Sequence, residues 1–129
     1  MNCPCASNQL YSQCCQPYIN SKENAPTAEK LMRSRYTAFT LANVDYLMKT
    51  HHQNTRAIND KAEMKQWASS VQWMGLTVMN TSAGLATDTM GKVEFKALYI
   101  EQGVLQAIHE KSLFRKEKGK WYYVSGEHI

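Results

Sequence analysis

Beyond Cys15 the 129-residue chain has no further cysteine, so disulfide staples cannot hold the body of the protein. Proline and glycine are scarce, at three and six residues, which excludes collagen-like and low-complexity architectures. No apolar run approaches the roughly 20 residues that a membrane-spanning helix needs. Neither sign of charge dominates: 15 Lys and Arg stand against 11 Asp and Glu, a formal net charge of +4. That permits weak attraction to polyanions without requiring it. Also missing are a nucleophile elbow, a phosphate-binding glycine loop and a dinucleotide fingerprint. No two of the four histidines have an i,i+4 metal-ligand spacing. What is present is ordinary for one globular domain with a modest core: 43% apolar and 20% charged residues.

The cysteines that do occur crowd into "MNCPCASNQLYSQCCQPYI", as Cys3, Cys5, Cys14 and Cys15. Adjacent Cα atoms lie about 3.8 Å apart, closer than a relaxed disulfide wants, so Cys14 and Cys15 do not pair with each other. Bridges to Cys3 and Cys5 would staple only one end of the chain. Met1-Asn2-Cys3 opens with neither a charged n-region nor an apolar h-region. The expectation is therefore a cytoplasmic chain with reduced thiols. Four thiolates in two close pairs around a short loop suit one tetrahedral ion, and zinc is the usual occupant. Redox catalysis is the weaker alternative, because the Cys-x-x-Cys spacing is absent. A closed four-sulfur shell leaves no place for substrate, so the expected zinc, one per chain, is structural.

Residues 16–27, "QPYINSKENAPT", are polar and bracketed by Pro17 and Pro26. They read as a hinge between a metal-binding segment, 1–20, and a main domain, 26–129. Helical patterning then covers 26–43, 44–52 and 60–71. After Val71 the period changes to two. Strands are expected over 71–80, with Met74, Leu76 and Val78 on one face, and over 92–100, with Val93, Phe95, Ala97 and Tyr99 together. Two more follow over 104–116 and 121–126, joined by turns at Glu101-Gln102-Gly103 and Glu117-Lys118-Gly119-Lys120. The predicted class is α+β, three helices on one face of a curved antiparallel sheet.

The segment Cys3-Pro4-Cys5-Ala6-Ser7, with Tyr11 and Cys14-Cys15, resembles the SEC-C zinc motif. Ala6 and Asn8 stand where that motif usually has glycines, and the lysines of its translocase version are replaced by Gln9, Leu10, Ser12 and Gln13. With "CCQPYI", "LMRSRYTAF", "YLMKTHH", "WMGLTV", "VEFKALY", "IHEKSLF" and "WYYVSG", the whole chain resembles the YchJ family of small bacterial proteins. The resemblance implies a zinc knuckle joined to a nuclear transport factor 2-like (cystatin-like) cone, with pairing of two copies through the sheet as the expected oligomer. It implies no established activity.

Within the first helix, Leu31, Met32, Ala38, Phe39 and Ala42 form a stripe with Arg35 near its middle. An arginine facing a core is either ion-paired or lines a polar cavity. Glu110 is the expected partner, since it alternates with Ile108, Ser112 and Phe114 on a strand face; Glu94, beside Lys96, reads as surface. Tyr36, Trp73, Trp121 and Tyr123 are candidates for pocket walls or plain core, and Phe95 for the inner face. His51, His52 and His109 are candidate acid–base groups, with His52 at a helix C-terminus. The run Arg115–Lys120 reads as a solvated basic turn. Together these features predict a binding or adaptor protein whose zinc knuckle docks a partner protein while the cone provides a second surface or holds a small ligand. The rivals are an isomerase- or dehydratase-like enzyme in which Arg35 anchors substrate and Glu110, His52 or a tyrosine moves a proton, and a nucleic-acid binder, which the mild charge disfavours.

Overall fold

The computed structural model describes residues 1–56 and 60–129. After a 3-10 turn at Tyr11–Gln13 come helices α1 (Gln16–Ile19), α2 (Ala28–Thr40), α3 (Val44–Lys49) and α4 (Lys61–Ser70). Strands β1 (Gln72–Ala83), β2 (Met90–Glu101), β3 (Val104–Glu117) and β4 (Lys120–His128) follow, forming one antiparallel sheet in the order β1-β2-β3-β4. The helices lie on one face of this sheet, an α+β arrangement. Gln102-Gly103 and Lys118-Gly119 make the tight turns, all four residues having positive φ, the geometry that suits the twist of a hairpin.

Helix α2 starts where Thr27 accepts a hydrogen bond from Lys30 N at 3.1 Å, satisfying one of the free amides of the first turn. Its first residue is tied to the β1–β2 hairpin by Ala28 N to Gly84 O, 2.9 Å. That approach needs small residues. A Cβ on Gly91 would overlap the Gly84 backbone, 2.8 Å from its nitrogen, and sit 3.2 Å from the Ala28 Cβ.

Three expectations are corrected. The stretch 16–27 is not a bare hinge: its first residues form α1, with Pro17 in the first turn where the missing N–H costs nothing. Cys3, Cys5, Cys15 and Ala25 share one buried cluster with Leu31, Met32, Tyr36 and Trp121. The metal-binding segment is thus packed into the main core. The second helix ends at Lys49 rather than residue 52. On β1 the expected face changes, because Trp73 pairs with Tyr99 but Gly75 with Leu98. Met74 is the extra residue of a β-bulge and is half exposed, while Trp73 turns inward with Leu76 and Val78.

Overpacking a backbone contact costs about 1–3 kcal/mol. Gly91→Ala should lower the unfolding free energy by about that amount in a urea titration. An unchanged midpoint would show that α2 does not rest on the hairpin.

Candidate metal centre and cavity

The four thiols are free, and their sulfur atoms all lie within 4.8 Å of one another. Cys5 and Cys14 sulfurs are 3.6 Å apart, and those of Cys14 and Cys15 are 3.9 Å apart. A tetrahedral ion with metal–sulfur bonds of about 2.3 Å spaces its sulfurs by about 3.8 Å, so the donors fit such an ion. The loop reaches this shape through Ala6 and Asn8, at φ 65° and 67°. That explains the glycines usual at these two positions of the motif: the left-handed region suits glycine, is tolerated by asparagine and is strained for alanine. Ser7 Oγ lies 3.1 Å from Cys14 Sγ. The Cys15 thiol foremost draws Cys5 well below its ordinary pKa, and the same contact pushes Cys15 up. One anionic sulfur among close neighbours is an electrostatic invitation to a cation.

Helix α2 braces this centre. Arg33 donates from Nη1 to Cys5 O at 2.7 Å and from Nε to Glu29 at 2.9 Å. Thr37, fully buried, meets Cys3 Sγ at 3.7 Å.

The other side of α2 faces a cavity of about 290 Å³ between helices and sheet. Of the residues singled out from sequence, Arg35, Tyr36, Trp73, Phe95, Glu110, Ser112, Phe114 and Tyr123 line it. Trp121 and His52 do not; both are buried elsewhere. Trp121 donates to Pro26 O at 3.2 Å. His52 Nδ1 accepts from Asn54 N at 3.2 Å, and its Nε2 lies 2.9 Å from Glu117 Oε1 but off hydrogen-bond direction. His51 lines the cavity instead. After α3 the chain runs beside β4, with Tyr123 N donating to Thr50 O and His52 N to Tyr123 O at 2.8 and 2.7 Å. Neighbouring residues in extended chain point opposite ways, so one histidine enters and the next leaves. Burial first, then Arg35 and Arg56, hold His51 down to about 4, so it is neutral at neutral pH. His109 lies on the sheet's outer face, 2.7 Å from Glu94.

Arg35 does not form the expected ion pair with Glu110. Its Nη1 donates to Leu47 O at 2.9 Å and Thr50 Oγ1 at 2.7 Å, and its guanidinium stacks 4.6 Å above the Tyr123 ring. Burial depresses its pKa to about 10, which leaves it charged at neutral pH. Glu110 is held on the far side by hydroxyls from Ser112 and, at 3.3 Å, Tyr123. Gly126 gives it room: a Cβ there would overlap the carboxylate and come 2.7 Å from the Tyr123 hydroxyl. Trp67, read from sequence only as part of a helix face, meets Trp73 edge-on at 5.4 Å and Tyr99 at 5.4 Å, closing one end of the cavity. Its spacing from Met64 carried no signal separating cavity wall from core.

Moving alanine out of the left-handed region gains roughly 1–2 kcal/mol, offset by about 0.4–1 kcal/mol for the freer unfolded glycine. Ala6→Gly should therefore raise stability by about 0.5–1 kcal/mol in chemical denaturation, and a loss would place the strain elsewhere.

Residues 27–126 match the family described as "YchJ, middle NTF2-like domain". The chain is 42% identical over 124 residues to the UPF0225 protein GSU1048 of Geobacter sulfurreducens, covering 96% of this chain and 77% of that one. It is 44% identical over 124 residues to the UPF0225 protein YchJ of Shigella dysenteriae, covering 96% and 81%. The solution structure of a SEC-C motif containing protein from Rhodopseudomonas palustris superposes with a TM-score of 0.90 at 35% identity, covering 100% of this chain and 99% of the other. With its cysteine cluster able to bind metal and its helices on a four-stranded antiparallel sheet, the chain belongs to the YchJ (UPF0225) family.

Proposed function

We propose that this protein is a non-enzymatic binding module of the cytoplasm, built around a structural zinc ion on Cys3, Cys5, Cys14 and Cys15. The ion fixes the N-terminal loop and supplies no reaction chemistry, because four protein sulfurs fill its coordination shell. The cavity under α2 holds a small ligand, and the knuckle with its flanking surface docks a partner protein. The observation that carries the binding reading is a buried, charged Arg35 bordering an aromatic-walled cavity without a contacting carboxylate among the described residues.

An enzyme of the same fold is the second reading, favoured by His51 in that cavity. Against it, His51 Nε2 is 3.1 Å from Thr55 Oγ1, and the Glu110 carboxylate already receives two hydroxyls. Neither group is poised as a free base. Nucleic-acid binding has less support, since Arg33 is committed to Glu29 and Cys5.

Metal analysis of freshly purified, reduced protein should find one zinc per chain. Because the cysteines share the main core, chelation should destabilise the whole domain. At roughly 3–6 °C per kcal/mol for a chain of this size, loss of about 3 kcal/mol lowers Tm by about 10 °C or more. A melting curve unmoved by metal removal would overturn the structural role. For the ligand-binding reading, a thermal-shift screen of small acids, amines and neutral aromatics should yield at least one class that raises Tm in a saturable way. Stabilisation by none of them would refute it.

A further inference from the structure

The cavity contains a positive charge that the chain leaves unopposed at contact range. Arg35 is only 8% exposed, and among the described residues no carboxylate lies within 4.0 Å of it. Its hydrogen bonds to described residues both leave from Nη1. Arg35 is among the residues that line the cavity. A buried guanidinium retains donors in a planar fork matched to a carboxylate.

The rest of the cavity narrows the class. Tyr36, Phe39, Trp67 and Trp73 pack edge-on or tilted against one another at 5.4–6.4 Å, an aromatic wall of the cavity whose apolar surface suits a flat group. At about 290 Å³, the volume sits at the lower edge of the range for ligand sites, about 300–1,000 Å³, enough for a single ring. Glu110 lies in the same cavity, with the Tyr123 hydroxyl 3.3 Å from its Oε2. Its carboxylate opposes a second negative charge on the ligand. A phosphate or dicarboxylate, which needs more than one cation, is therefore disfavoured.

We propose that the cavity binds a single-ring aromatic monocarboxylate, its carboxylate on Arg35 and its ring against the wall formed by Tyr36, Phe39, Trp67 and Trp73. This assignment rests on the ligand-binding reading above and specifies its chemistry. Were Arg35 only a brace for α3, its bonds to Leu47 and Thr50 would account for it and the cavity would not select for acids.

Three probes share one ring and reach: 3-phenylpropionate, 3-phenylpropanol and phenethylamine. Each is titrated into the zinc-loaded full chain, with the fluorescence of Trp67 and Trp73 as the readout. The acid should bind at least about tenfold tighter than the alcohol or the amine, the ratio expected of a charge-assisted hydrogen bond. Arg35→Lys, which keeps the charge but not the fork, should weaken the acid by about fivefold or more and leave the alcohol unchanged. Should that variant fail to fold, the acid-to-alcohol ratio in the unaltered protein decides alone. Equal affinity for acid and alcohol would overturn the carboxylate assignment and leave the ligand-binding reading standing. Binding of none of the three would also overturn the assignment, and the broader thermal-shift screen then judges the ligand-binding reading separately.

Discussion

Helix α2 has almost no free surface: between Ala28 and Thr40 only Lys30 is fully exposed. On one side Arg33 and Thr37 reach the cysteine loop. On another Ser34, fully buried, shares a 2.7 Å hydrogen bond with Tyr46 of α3. On a third, Met32, Arg35, Tyr36 and Phe39 look into the cavity. A helix buried on several sides is positioned by all of its neighbours at once. The geometry of the cysteine loop and the placement of Arg35 are consequently set by one rigid element. A charged arginine is expensive to bury. Here the cost is offset by the carbonyl end of α3, by the face of Tyr123 and by the cavity itself.

This arrangement ties metal binding to the cavity without any direct contact between them. The sulfurs lie in the same buried cluster as Leu31, Met32 and Tyr36, and Tyr36 meets Trp73 edge-on at 5.7 Å. Loosening the knuckle uncovers the polar flank of α2, where the buried Thr37 would face water in place of Cys3.

Much of this was legible in the residues, and the losses have physical causes. The cysteine spacing announces a tetrahedral site because four soft ligands in so short a loop have few other uses. Period-two alternation gave β2 and β3 their inner faces, and with them the cavity positions of Phe95, Glu110, Ser112 and Phe114. On β1 the same rule failed at Trp73 and Met74, since a bulge between Trp73 and Gly75 puts the start of the strand out of step with Leu76 and Val78. That His51 rather than His52 lines the cavity follows from the backbone, which leaves the helix at Lys49 instead of residue 52 and pairs with β4. The burial of Ser34 and Thr37 is not legible in the hydrophobic pattern, which sees polarity and not the partners, a tyrosine hydroxyl and a cysteine sulfur, that make burial tolerable. The Arg35–Glu110 pair follows from facing elements, but each group meets Tyr123 instead, Arg35 over the ring and Glu110 at the hydroxyl.

The coupling through α2 is the central claim, and amide hydrogen–deuterium exchange with and without a zinc chelator tests it most directly. Protection should fall along Ala28–Thr40 together with residues 1–19 when the metal is removed, because the helix loses one of the surfaces that hold it. Loss of protection confined to residues 1–19, with the α2 amides as slow as before, would contradict the account and return the knuckle to the status of an independent appendage.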